Sequence, residues 1–188
     1  IPENPDESFV LAADDDIPPN RRQAVSVIRK SGDHLLSVIE RTLDIARIEG
    51  GKLTLDIKAM DFPELLQQLV WMFELQARDK GLSFDYQPVG ALPAIVRADE
   101  KRLRQILINL LGNAVKFTES GTVSLAATWH NGRAAFVVAD TGFGMTEAET
   151  RSLFQAFVQT ESGARSHEGT GLGLVISRDF AMLMDGDI

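Results

Sequence analysis

The chain has no cysteine, only three histidines and one tyrosine, and two tryptophans in 188 residues. Without cysteine there is no disulfide framework and no thiolate-held metal. No apolar run approaches the ~20 residues that a membrane helix needs, and the first residues lack a signal-peptide pattern. The chain is therefore expected to be cytoplasmic and to make no membrane contact itself, any anchor belonging to a parent protein. Positive charge is also scarce: 19 Lys and Arg stand against 27 Asp and Glu, for a net charge of -8. A nucleic-acid groove needs the opposite balance, so no nucleic-acid partner is expected. What is present is ordinary for a soluble globular protein, with 44% hydrophobic and 24% charged residues. The length allows one domain plus a short helical module.

Residues 1–20 hold four of the seven prolines and the run Asp14 to Asp16, and read as a solvated loop. From Arg21 to Glu49 the pattern is one long helix. Ile28, Gly32, Leu35, Ile39, Thr42 and Ala46 alternate at spacings of four and three, and Val25, Leu36, Leu43, Ile45 and Ile48 widen the stripe. A face this broad needs partner helices, and a homodimer is the simplest source. Gly50-Gly51 ends the helix and supplies a hinge, dividing a helical region at 1–50 from a second domain at 51–188.

In that second domain, residues 52–61 alternate like a half-buried strand. Phe62 to Lys80 reads as a helix capped by Asp61, with Pro63 in its first turn. Strand Leu82 to Gln87 leads into a loop with Pro88, Gly90 and Pro93. Helix Arg102 to Thr118 follows. Strands Thr122 to Trp129 and Arg133 to Ala139 flank Asn131-Gly132, a strong hairpin signal. The fold class is α+β: a long helix, then a two-layer α/β sandwich with antiparallel strands in one layer and helices in the other.

Four stretches carry chemistry. In RLRQILINLLGNAVKFT, Leu103, Ile106, Leu107, Leu110, Leu111 and Val115 make the apolar stripe, while Asn109, Asn113 and Lys116 share the other face. Two carboxamide oxygens and an ammonium suit a magnesium-bound polyphosphate. In DTGFGM, Asp140 at a strand end can accept from an exocyclic amine such as that of adenine, and Gly142 and Gly144 let backbone approach a flat ligand. In LFQAFVQ, Phe154 and Phe157 suit core packing. In GTGLGL, glycines open into a helix from Val175 to Met184, and backbone N–H groups at a helix start cradle phosphate. Thr160 to Glu168, polar and small, has the composition of a lid.

Taken in this order, the four stretches resemble the N, G1, F and G2 boxes of a sensor histidine kinase, whose ATP-binding domain has the Bergerat fold. SGDHLLSVIERTLDIARIEGGKL resembles the second helix of its dimerisation domain. The resemblance implies that Asn113 binds Mg2+ with Asn109 beside it, that Lys116 contacts phosphate, and that Asp140 accepts from the adenine amino group. It implies further ATP contacts from Gly142, Gly144, Arg165, Gly169, Thr170, Gly171, Leu172 and Gly173. The implied function is transfer of the γ-phosphoryl of Mg-ATP to a histidine, and then to an aspartate in the receiver domain of a response regulator. ATP-hydrolysing relatives of the gyrase and MutL types place a glutamate base where this chain has Asn109, which cannot take a proton from water. That favours transfer over hydrolysis.

The chain departs from the family pattern in three places. No segment like HELRTP supplies an acceptor: His34 lies on the second helix, His130 beside the hairpin turn and His167 in the lid. Glu168 stands where the family has a glycine, and the family continues past MDGDI with two more strands. These departures motivate the alternative of a degenerate kinase, an ATP-binding or dimerising regulatory module without autophosphorylation.

Overall fold

The structure, a computed structural model, describes residues 19–155 and 171–188. Its elements in chain order are α1 (Pro19–Glu49), β1 (Lys58–Asp61), α2 (Phe62–Asp79), β2 (Ser83–Val89), β3 (Ile95–Ala98), α3 (Glu100–Phe117), β4 (Thr122–His130), β5 (Arg133–Asp140), α4 (Glu147–Ser152) and α5 (Gly173–Leu183). Two compact units divide between Arg47 and Ile48.

The described part of the first unit is helical. α1 runs for 31 residues, and Gly51 N–H donates to Ile48 O at 2.9 Å with Gly51 at φ 59°, closing the helix as the glycine pair predicts. Ile28, Leu35, Leu36, Ile39 and Leu43 on its stripe stay exposed.

The second unit is a helix layer on a sheet layer. α2 buries Phe62, Leu65, Leu66, Leu69, Val70, Phe73 and Ala77, and α3 buries Leu107, Leu111, Ala114 and Val115. Both faces meet Val123, Leu125 and Ala127, the inward residues of β4. These positions repeat every three or four residues on the helices and every second residue on the strand. Asp61 caps α2, its carboxylate accepting from Glu64 N–H at 2.9 Å. The Asn131-Gly132 turn has positive φ at both residues, 51° and 80°, as a tight hairpin between twisted strands requires.

Four expectations need correction. The strand expected at 52–61 is confined to Lys58–Asp61, because β3, its antiparallel partner, is only four residues long. Upstream of it, Asp56 N–H donates instead to the Asp99 carboxylate at 3.0 Å. Pro88 lies inside β2 and not in a loop; β2 is an edge strand, where a missing N–H is tolerated. The second sheet, ordered β2-β4-β5, is mixed: β4 and β5 are antiparallel, but β2 runs parallel to β4 because the chain between them crosses over through α3. Helices α3 and α5 begin two residues earlier than the apolar pattern indicated.

Asp99 explains the early start of α3. It is buried, caps the helix through Arg102 N–H at 3.1 Å, and holds Asp56 N–H with its other oxygen. Asp99→Ala removes a cap and strands a part-buried donor. It is expected to lower stability by about 1–3 kcal/mol, read as a lower urea midpoint at unchanged slope. Asp99→Asn, which keeps an acceptor, should lose less.

Candidate functional site

α3 is the element on which the motif stretches converge. Its stripe is sunk in the core, so Asn109, Asn113 and Lys116 lie on the side away from the sheet, each half-buried. The C-terminal end of the helix is held from α2. Lys80 Nζ donates to Val115 O and to Lys116 O, each at 2.7 Å, placing a cation on the last carbonyls, where the helix dipole favours it.

The GTGLGL stretch arrives from one side. Its glycine Gly171 has φ 68°, and α5 begins at Gly173, where among the described residues no side chain caps the first turn. The first N–H groups of a helix have no partner within it, so an uncapped start suits phosphate. α5 packs on α3 through Ile176 and Phe180, which are buried, and the Arg102 guanidinium lies 4.4 Å from the centre of the Phe180 ring. Gly173 sits directly against Asn109: a Cβ there would be 3.0 Å from Asn109 Cγ and closer still to the carboxamide oxygen. Asn109 Nδ2 donates to Ser177 Oγ at 3.0 Å. Leu172, expected among the ATP contacts, is at the N-cap position of α5 with its side chain 1% exposed.

The DTGFGM stretch arrives from the other side, at the end of β5. Asp140 is exposed, and its Oδ1 accepts from Gly142 N–H at 2.9 Å. A Cβ at Gly142 would lie 2.5 Å from Phe117 O and 2.8 Å from Asp140 Oδ1, so only glycine lets this loop close on the end of α3. Gly144 has φ 69° and open space around it. Thr141 ties the loop to the start of β4: its hydroxyl accepts from Thr122 N–H at 3.0 Å. Phe143 is exposed and meets Phe117 edge to face, ring centres 6.1 Å apart, giving an apolar surface beside the Asp140 carboxylate. Neither aromatic was singled out from the sequence, although Phe117 directly follows Lys116.

Short elements frame these loops. α4, not expected from the sequence, opens with a complete capping box between Thr146 and Glu149, a signal legible as Thr-x-x-Glu. Phe154 of the F stretch lies under the Arg178 guanidinium, 4.7 Å from ring centre to Cζ. That guanidinium also binds Asp187 at 2.8 Å, and the hydrogen bond holds the Asp187 carboxyl below its ordinary range. Phe157, Arg165, His167, Glu168, Gly169 and Thr170 lie outside the described residues. Of the remaining histidines, His34 is in α1 and His130 ends β4.

Among the described residues no group of three or more His, Cys, Asp or Glu could hold a metal. On the side of α3 away from the sheet, the oxygens at Asn109 and Asn113 are those of carboxamides. They are neutral and few, and suit a cation that arrives with charged phosphates completing its shell.

Residues 98–188 match the family described as histidine kinase-, DNA gyrase B-, and HSP90-like ATPase. The chain is 42% identical over 172 residues to the circadian input-output histidine kinase CikA of Synechococcus elongatus, covering 89% of this chain and 23% of that protein. It is 35% identical over 179 residues to the signal transduction histidine-protein kinase BarA of Escherichia coli, covering 92% of this chain and 20% of that one. Full-length ShkA, solved in complex with AMPPNP, superposes with a TM-score of 0.75 at 34% identity, over 97% of this chain and 42% of ShkA. The chain thus spans between a fifth and a quarter of the length of these two curated relatives.

Proposed function

We propose that the chain, whose residues 98–188 match the histidine kinase-, DNA gyrase B-, and HSP90-like ATPase family and which is similar to sensor histidine kinases along most of its length, binds Mg-ATP and directs the γ-phosphoryl to a histidine. The observation that carries the reading is the convergence on α3: Gly173 packs on Asn109, Gly142 packs on Phe117, and Asn113 and Lys116 lie between. One helix is thus flanked by the glycine-opened start of α5 at its middle and by the glycine loop after β5 at its end.

The roles follow from the chemistry of each group. Asp140 accepts from the adenine amino group, with Gly142 and Gly144 admitting the ring. Asn113 and Asn109 offer carboxamide oxygens to Mg2+, and Lys116 offers its ammonium to phosphate. Gly171 and Gly173 bring the start of α5 to the phosphates, and Arg165, Gly169, Thr170 and Leu172 are the remaining expected ATP contacts. Bound Mg2+ neutralises charge on the polyphosphate, which is most of what phosphoryl transfer requires. Asn109 cannot act as a base toward water, so the site orients the γ-phosphoryl for transfer to a side chain.

In the parent protein, residues 1–50 form the dimerisation region, with the exposed stripe of α1 meeting its copy in a homodimer. Residues 51–188 form the ATP-binding domain, and the hinge at Gly50-Gly51 lets it approach the acceptor. The receiver domain of a response regulator takes the phosphoryl next. No helix among the described residues is long and apolar enough to cross a membrane.

Asp140 tests the base-binding half of the reading. Asp140→Ala is expected to weaken ATP binding about tenfold, the loss of a hydrogen bond to a charged acceptor, and to abolish preference for ATP over GTP, which lacks the amino donor at that position. Calorimetric titration with both nucleotides measures this, and an unchanged ATP preference in the variant sinks the assignment. Transfer is tested in the parent protein: label from γ-phosphate should appear in an acid-labile, alkali-stable phosphoprotein, and free phosphate alone would point to hydrolysis.

A further inference from the structure

Ser177 lies one turn along α5 from Gly173 and is 2% exposed. It is 68 residues from Asn109 in sequence, yet its hydroxyl oxygen accepts from Asn109 Nδ2 at 3.0 Å. A carboxamide carries an acceptor and a donor on one rotor, and a half-turn exchanges them. Only the oxygen can face a cation; the NH2 group presented there would repel it. A serine hydroxyl can also donate, so the selection rests on both contacts together: its oxygen accepts from the nitrogen while the carboxamide oxygen sits against Gly173.

Gly173 completes the arrangement, because any Cβ at that position would push the Asn109 carboxamide out of place. α5 therefore provides a seat with two parts: room at Gly173 and an acceptor at Ser177. We infer that Ser177 is a positioning residue that holds the Asn109 carboxamide with its oxygen available to the divalent cation of the bound nucleotide. This rests on the reading above, that Asn109 and Asn113 serve Mg2+. Ser177 does not itself touch the ligand. It links the helix that follows the phosphate-binding turn to the helix that offers oxygen to the cation, so the two halves of the site are set together.

The test is calorimetric titration of ATP into the intact chain over a series of Mg2+ concentrations, with Ser177→Ala and Asn109→Ala alongside the parent. In Ser177→Ala, ATP affinity without Mg2+ is expected to stay within about twofold of the parent. Affinity at saturating Mg2+ should fall about three- to tenfold, the range for one lost hydrogen bond, and the Mg2+ midpoint should rise. Ser177→Cys keeps the volume but offers only a weak acceptor; it should shift the midpoint in the same direction and serves if the alanine variant does not fold. A residue that only packs α5 on α3 would lower thermal stability without moving the Mg2+ midpoint. The inference is overturned if both Ser177 variants keep the parental midpoint while Asn109→Ala shifts it, and in that case the cation reading stands. If the parent binds ATP with no Mg2+ dependence, the cation reading fails and the inference fails with it.

Discussion

Asn113→Ala should weaken Mg2+-dependent ATP binding by about 10- to 100-fold while leaving the fold intact. Contacts to charged groups are worth about 1.5–3 kcal/mol, and each 1.4 kcal/mol is about one decade in affinity. Asn113 is half-buried on the open side of α3, so its removal leaves no hole in the core. Alanine is also the better helix former, by up to about 0.7 kcal/mol. The variant should therefore melt no lower than the parent, which separates loss of the site from loss of the domain. Calorimetry with and without Mg2+, paired with a circular dichroism melt, is the measurement. Parental Mg-ATP affinity in a folded Asn113→Ala chain would mean that this asparagine is merely solvated.

Phe62→Ala should have the largest effect on stability, about 3–5 kcal/mol for a fully buried aromatic. Phe62 is 0% exposed at the first position of α2, with ring centres 6.1 Å from Trp129 and 6.0 Å from Phe136. It is where helix and sheet layers meet across β4 and β5. Domains of this kind hold only about 5–15 kcal/mol in total, so one substitution removes a large part of that margin. Urea unfolding followed by tryptophan fluorescence reads the loss, since Trp129 is one of the two tryptophans. Trp71, 64% exposed on the outer side of α2, is the control: Trp71→Ala should change stability by less than about 0.5 kcal/mol. Equal losses in the two variants would refute the core assignment.

Much of this architecture is legible from local pattern. The stripe of α3, the Asp61 cap and the Asn-Gly hairpin depend on neighbours within a few residues, and each stands in the structure where the sequence places it. What failed was non-local. Residues 52–57 alternate correctly for a strand, but strand length is decided by the partner, and β3 ends where Asp99 turns to cap α3. The parallel pairing of β2 with β4 depends on a crossover, which periodicity within either strand does not encode.

The candidate site divides in the same way. Asn109, Asn113 and Lys116 share a face by spacing alone, and the glycines of DTGFGM and GTGLGL mark their own turns. Ser177 gives no such signal, because a serine inside an apolar helix looks like any tolerated polar residue until α5 is laid on α3. Lys80 is similar: at the end of its own helix it reads as a dipole-compatible cation, yet the carbonyls it binds belong to α3.

The three-stranded sheet has two unequal edges, and the difference bears on how copies of this chain behave when concentrated. Along β2, Pro88 removes an N–H and Asp85 adds charge, so an approaching strand finds an interrupted template. Along β5, residues 134–139 read Ala-Ala-Phe-Val-Val-Ala without charge or proline, Val137 is exposed, and among the described residues β4 is the only ladder partner. Strand addition between molecules is thus directed to β5. Two copies of this chain meeting there would pair the same segment with itself, whereas a strand supplied by a longer parent chain would close the edge.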